Sequence, residues 1–600
     1  MSSADAAHRD WRERIHQASG QAVPAAELSL QAPAGLRAVP GAGHVTLTWE
    51  PVPEAIGYLV HRDGVAISQP DVDVAAVPAC RYVDTGHGAA SYTVAAIASM
   101  ESVGPVSEAV AAAPLAGGAA TVSVRVDAAA VTRDLPRPWR YMIGSEHLSY
   151  VLSKDETGGR TIGEELTEAL RVVRAEFGVE TVRAHAIFGD DLGVYKEVDG
   201  QAVYDFGKVD EVYDTIMELG LRPIVELGYM PRDLAADPSR TVFGYEAIVS
   251  PPKDFEAWSD LVRALVEHLV DRYGIQELIE NWAFEVWNEA NLAVFWTGTP
   301  EEYFLLYDVS AAAVKNVHPS LRVGGPASAA NGWVEELLAH VAESGAELDF
   351  ISTHTYGNAP LDWRPTLARY GVPDTPVWWT EWGPTPTHFH GIGDGPFGAT
   401  FLLHGMKSAA GRLAAVSHWV ASDHFEELGR PPRLFHGGFG LLTVGNLRKP
   451  RFHALTLANR LGDEELATVV EGDAGGVEVW AARHADGRVG VLAWNGTLNQ
   501  AQADGAPELS RAVSLTVAGL DGDYTLTHHR VDEWHSNIGA VWRAMGGGDW
   551  PLEHQWDKLR SDNTLDELTP AAVVTAEGGA VTVDFNLPMP GVSFVEVTPR

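Results

Sequence analysis

Between about residues 139 and 458 the chain alternates strand-like and helix-like segments eight times, and this alternation constrains the fold more than any other feature. The strand-like runs are "RYMIGS", "VETVRAHAIF", "RPIVELGYMP", "WAFEVWN", "LRVGGPAS", "LDFISTHTYG", "PVWWTEWG" and "AAVSHWVASD". Between them, apolar residues recur every three or four positions. Leu166, Leu170, Val173 and Phe177 form one such face, and Val209, Val212, Ile216 and Leu219, stopped by Gly220, form another. Thr299-Pro300-Glu301-Glu302 reads as a helix N-cap with proline in the first turn. Eight β-α repeats imply an α/β fold, a (β/α)8 barrel over 139–460.

The flanks have a different texture. Leu36, Val45, Leu47, Trp49, Tyr58 and Val60 lie at strand periodicity among prolines and glycines. Residues 31–113 are therefore expected to be a β-sandwich whose Trp and Tyr spacing resembles a fibronectin type III module. Residues 1–30 read as a short polar helical or extended segment docking elsewhere, and 114–138 as a linker with a barrel-associated strand. From 461 to 600 the pattern is again rich in alternating strands and implies a C-terminal β-sandwich.

Charge and cysteine content exclude several functions. The 43 basic and 81 acidic residues leave a net charge of −38, which would repel a nucleic-acid backbone. Cys80 is the single cysteine, so neither an intrachain disulfide nor a cysteine-rich metal site can form. No run approaches the ~18 consecutive apolar residues of a membrane span. The first residues lack the apolar core of a secretory signal, so the expected location is the cytoplasm. A self-associating first sandwich leaves a homo-oligomer open.

Barrel sites lie at the C-terminal ends of the strands. Glu289 follows Trp287-Asn288 at the end of the fourth strand, and Glu381 follows Trp379-Thr380 at the end of the seventh. Two carboxyl groups facing each other across one cleft suit acetal cleavage: one protonates the leaving oxygen, and the other attacks or stabilises the sugar carbon. Trp287, Trp296, Trp379, Trp382 and Trp419 would offer apolar faces to sugar rings. Glu226 and Glu285, inside strands, read as barrel-interior groups, whereas one of Asp190 and Asp191 is expected to touch substrate. His388, His390 and Asp394 are a possible but disfavoured metal set. The segment Gly324–Gly332 lacks the spacing of a dinucleotide fingerprint, so no cofactor is expected.

"WNEAN" (Trp287–Asn291) resembles the Asn-Glu signature of clan A retaining glycoside hydrolases. "GSEH" (144–147), "VRAHAIFGDD" (182–191), "VELGYMP" (225–231), "STHTYG" (352–357), "TEWG" (380–383), "HWVASDHFEELG" (418–429), "FHGGFGLL" (435–442) and "HSNIGAVWRAMG" (535–546) extend the likeness to family 39, the β-xylosidases and α-L-iduronidases. The resemblance implies Glu289 as general acid/base, Glu381 as nucleophile, and retention through a covalent glycosyl intermediate. It further implies that Asn288 bonds the sugar 2-hydroxyl and that Tyr356 orients the nucleophile. His185, His354, Trp419 and Glu426 would line the terminal sugar pocket, with Tyr229 beside it.

Ala290, Ala186 and the run Pro384-Thr385 depart from the bacterial xylosidase pattern, and no basic cluster awaits a uronate. β-D-Xylose is the expected sugar and an α-L-arabinoside the alternative. The expected substrate is a short oligosaccharide trimmed from its end. A barrel that binds sugar without cleaving it is the rival from another class.

Overall fold

The computed structural model describes residues 11, 13–15, 17–20, 28–68, 76–117 and 120–600. Eight parallel strands close into a barrel: β1 (Met142–His147), β2 (Thr181–His185), β3 (Arg222–Leu227), β4 (Ala283–Val286), β5 (Val323–Ser328), β6 (Phe350–Tyr356), β7 (Val377–Gly383) and β8 (Ala415–His418). Each corresponds to one of the sequence runs. Helices follow the strands, and their apolar faces pack against the barrel. Leu166, Leu170, Val173 and Phe177 are all buried on the helix Ile162–Phe177. Thr299 caps the helix Pro300–Val317 through a reciprocal box with Glu302, each side chain serving the other residue's backbone N–H.

The C-terminal module is a nine-stranded sheet. Val124, Leu466, Val479, Val513, Val581 and Val595, drawn from strands along its whole width, share one core, so the sheet curls over itself. The strand Ala120–Asp134 belongs here rather than to the barrel. It pairs antiparallel with Glu464–Gly472 and parallel with Arg511–Ala518. Its burial alternates, with Val122, Val124, Val126 and Ala128 inside. That is the period of a half-exposed sheet, whereas barrel strands such as β1 are buried at every position.

The N-terminal body has two facing sheets, one of Arg37–Gly41, His44–Thr48 and Arg81–Thr85, the other built on Gly57–Arg62, Ala90–Ile97 and Val103–Val106. Val45, Leu47, Trp49, Tyr58 and Val60 fill the space between them. The Trp49 and Tyr58 rings meet edge to face at 5.4 Å, and the Tyr58 hydroxyl accepts from Val52 N at 2.9 Å. Most of the helical or extended segment expected over the first thirty residues lies outside the described residues. The part within them is one helical turn, in which Ile15 N donates to Trp11 O at 3.0 Å. Among the described residues no helix is long and apolar enough to cross a membrane.

Candidate active site

Each strand delivers its side chains to the barrel mouth through its C-terminal end. At the end of β4 the backbone turns sharply, with Trp287 at φ 68° and Glu289 at φ 47°, both in the left-handed region. The turn is held by Glu289 N donating to Ala327 O at 2.8 Å and Leu292 N to Glu289 O at 2.9 Å. Across the mouth, a register shift between β6 and β7 sets His354 opposite Glu381. One oxygen of Glu289, one oxygen of Glu381 and a ring nitrogen of His354 all fall within 4.8 Å of one another.

Glu381 accepts at both oxygens: Oε1 from Arg183 at 2.5 Å, and Oε2 from the Tyr356 hydroxyl at 2.7 Å. Burial and the adjacent Glu381 charge push Tyr356 well above the usual phenol range, so it remains a donor. Glu289 differs. Burial first, and then the Glu381 charge, hold its carboxyl well above the carboxylate range. Its Oε1 meets His354 Nδ1 at 2.9 Å, while His354 Nε2 meets Thr380 Oγ1 at 3.0 Å. Burial keeps His354 neutral, and burial with the Arg183 charge lowers His185 to about 3. Glu289 is thus held toward its protonated form beside a carboxyl that accepts hydrogen bonds at both oxygens, the arrangement expected of an acid and a partner base or nucleophile.

Arg183 organises this floor and was not singled out by sequence reasoning. Fully buried in β2, it donates through Nε to Glu285 at 2.8 Å and through an Nη to Asn288 Oδ1 at 2.8 Å, and it pairs with Glu226 at 2.7 Å. The available signal was a charged residue at the centre of a barrel strand, which needs interior counter-charges. Glu226 and Glu285 supply them, as barrel-interior groups. Asn288 in turn donates to the Tyr229 hydroxyl at 3.2 Å, so Tyr229 backs the cavity without lining it.

The main cavity, about 290 Å³, is lined by Asn288, Glu289, Glu381, His185, Tyr356 and Trp419. His354 stands behind it, reaching Glu289 through Nδ1. Glu426 is placed elsewhere. Its carboxylate takes the Tyr150 hydroxyl at 3.0 Å and pairs with Arg430 at 3.3 Å, while the neighbouring Glu427 lines the cavity and meets His388 at 2.8 Å. Adjacent side chains in the loop after β8 point in different directions, and no strand period fixes which one faces inward.

Of the five tryptophans expected to face sugar, only Trp419 lines the cavity. Trp287, Trp296, Trp379 and Trp382 are wholly buried. Trp287 packs edge to face on Trp296 at 5.1 Å, and Trp382 stacks on Phe401 at 4.9 Å. Each is a core residue flanking the site. Neither Asp190 nor Asp191 reaches the cavity: Asp190 binds Arg232 and Asp191 accepts from Ser149. His388, His390 and Asp394 are not brought together as a ligand set. His388 goes to Glu427, and Asp394 pairs with Lys449 at 2.7 Å. Among the described residues the one ligand-like cluster is Glu289, His354 and Glu381, where a cation would have to compete with the Arg183 guanidinium for Glu381.

The raised Glu289 carboxyl carries a signed prediction. In Glu381→Gln the neighbouring negative charge is gone, so Glu289 should titrate at lower pH than in wild type. Infrared difference titration against Glu289→Gln reads this directly, and an unchanged or higher titration would contradict the electrostatic account.

Two opposed carboxyls, one held protonated, at the mouth of a (β/α)8 barrel define a class: enzymes that hydrolyse glycosidic bonds. The family model of glycosyl hydrolases family 39 matches residues 122–369 and 362–579. A β-xylosidase of Geobacillus stearothermophilus is 32% identical over 455 residues, 70% of this chain and 86% of that protein. A β-xylosidase of Caldicellulosiruptor saccharolyticus is also 32% identical, over 70% of this chain and 87% of its own. Among solved structures, a monomeric β-xylosidase of Caulobacter crescentus superposes with a TM-score of 0.70 at 31% identity, covering 80% of this chain and 99% of its own. The chain belongs to glycosyl hydrolases family 39 and is a glycosidase.

Proposed function

We propose that the enzyme is a retaining β-D-xylosidase that removes terminal xylose from short oligosaccharides, with Glu381 as nucleophile and Glu289 as acid/base. The observation carrying the mechanism is the close approach of the two carboxyls, within 4.8 Å at one oxygen of each. Retaining enzymes keep the groups ~5–5.5 Å apart, while inverting ones leave ~6.5–9.5 Å for a water. In the first step Glu381 attacks the anomeric carbon as the Glu289 proton passes to the leaving oxygen, forming a glycosyl ester and releasing the aglycone. In the second, the Glu289 carboxylate takes a proton from water, the water oxygen attacks the same carbon, and Glu381 leaves. Asn288, oriented by Arg183 and Tyr229, is set to bond the sugar 2-hydroxyl. His185, Trp419 and Glu427 surround the terminal ring.

The sugar rests on the curated relatives, which are β-xylosidases. A cavity of about 290 Å³, at the lower edge of the ~300–1,000 Å³ common for small-ligand sites, favours one terminal sugar over a long chain. We read the first sandwich, residues 31–113, as a fibronectin type III-like module, a reading its two facing sheets support, and propose the other domain limits as the sequence implies them, with Ala120–Asp134 moved to the C-terminal sheet.

The test is a panel of aryl glycosides: β-D-xyloside, α-L-arabinofuranoside, α-L-arabinopyranoside, β-D-glucoside, β-D-galactoside and α-L-iduronide. Release from the xyloside above all others is expected, and preference for an arabinoside would replace the sugar. Silence throughout, with measurable sugar binding, would mean a binding protein. Glu289→Ala should lose ~10²–10⁴-fold on xylobiose but far less on aryl xylosides whose leaving groups need no proton. Equal loss on both would overturn the acid/base role. Light scattering should give one 64.6 kDa chain, in keeping with the monomeric relative.

A further inference from the structure

The cavity has a wall that the family does not account for. The family match begins at residue 122, yet Trp11, Ile15, Met100 and Glu101 line the cavity together with the barrel residues. Two separate pieces of the N-terminal extension therefore reach the site, and each is fixed by its own hydrogen bonds.

The first piece is a strap. After the helical turn at Trp11, it runs against the loop that carries Glu289. Ser19 N donates to Asn291 O at 3.1 Å, Ala293 N donates to Gln17 O at 2.7 Å, and Ser19 Oγ donates to Ala290 O at 2.6 Å. Trp11 anchors the strap. Its ring lies 5.9 Å from Phe295, edge to face, and 5.8 Å from His388. Its Nε1 is buried with no acceptor among the described residues. The second piece is the turn joining two strands of the first sandwich. Ser99 Oγ accepts from Glu101 N at 3.2 Å and from Ser102 N at 3.0 Å, which fixes Met100 and Glu101 over the mouth. The sandwich itself is seated on the barrel. Asp362 N donates to Ile56 O at 2.9 Å, and Ile56 and Ile97 are buried in the same core as the barrel helices.

We propose that the N-terminal strap and the Met100–Glu101 turn form the leaving-group wall of the cavity and select short, uncharged aglycones. The inference rests on the proposed role of Glu289. An acid must face the leaving oxygen, and the strap is bonded to the loop that bears it, so the leaving group stands between the two. Glu101 is exposed at that mouth and places a negative charge where an anionic aglycone would lie. Trp11 and Ile15 stop the cavity where a longer chain would continue.

The experiment compares variant with wild type on paired substrates. Glu101→Lys should raise kcat/KM on 4-carboxyphenyl β-D-xyloside, relative to the 4-nitrophenyl xyloside, by roughly fivefold at low salt, and the gain should fade at high salt as the charges are screened. A merely structural role for Glu101 would not produce that salt dependence. Ile15→Ala and Trp11→Ala should raise kcat/KM on xylotetraose relative to xylobiose by a comparable factor, with Trp11→Phe between them and wild type. If Trp11→Ala does not fold, Ile15→Ala and Glu101→Lys decide. Unchanged ratios in both overturn the wall while leaving the xylosidase reading intact. Turnover of a different aryl glycoside overturns the sugar alone, and the same carboxyphenyl and nitrophenyl pair on that sugar then tests the wall.

Discussion

Glu381→Ala should lose on the order of 10⁴-fold or more in kcat on an aryl β-xyloside, because it removes the proposed nucleophile. The loss should be the same for good and poor leaving groups, in contrast to Glu289→Ala, since both need the glycosyl ester. Folding should survive. Arg183 keeps Glu226 and Glu285 as partners, and the truncated side chain removes a buried carboxylate instead of exposing one. Steady-state kinetics with a melting curve check both halves. A variant that stays folded and retains a tenth of the wild-type rate would remove Glu381 from the chemistry.

Arg183→Met should be the most damaging change to stability. The guanidinium faces Glu226, Glu285 and Glu381, all within 2.5–2.8 Å, and is wholly buried. Without it, several buried carboxyls lose their counter-charge, at a cost of about 3–5 kcal/mol by comparison with other broken buried pairs. The pH dependence has a definite sign. Burial raises Glu226 to about 8, against the pull of Arg183. A carboxyl raised in the folded state contributes its stability below its unfolded pKa of ~4.3, and that contribution is lost as pH rises through the folded value. Removing Arg183 raises Glu226 further, so the deficit relative to wild type should grow as pH rises above about 8, where Glu226 ionises in the folded wild type but stays protonated in the folded variant. Denaturant unfolding below and well above that pH measures this, and a deficit that stays constant or shrinks would contradict it.

The barrel was legible because its signal repeats. Each strand run and each apolar helix face recurs with a fixed period, and errors in one do not disturb the rest. Glu289 and Glu381 were legible for a related reason: the barrel topology puts every strand end at one mouth, so position along a strand becomes position in space. Outside regular strands that logic ends. Glu426 and Glu427 are indistinguishable in a loop, and only the packing of His388 and Tyr150 separates them. The tryptophans misled because a ring beside an active carboxylate and a ring in the core behind it have the same spacing. Trp287 turned inward to Trp258 and Trp296, and of the five expected to face sugar Trp419 alone stayed at the cavity. Arg183 was hidden by the opposite effect, a charge in the middle of a run read only as a strand. The N-terminal wall could not be read at all, since its contacts join residues such as Ser19 and Ala290 that lie 271 positions apart.

In the proposed mechanism Glu381 forms a covalent bond to the sugar. Incubation with 2,4-dinitrophenyl 2-deoxy-2-fluoro-β-D-xyloside, whose fluorine slows both steps while its activated leaving group restores only the first, should trap that ester. Mass spectrometry of the digested protein should place one fluoroxylosyl group on the peptide holding Glu381, and none should appear in Glu381→Ala. A label on another carboxylate, or release of the sugar with inverted configuration and no label, would contradict the mechanism.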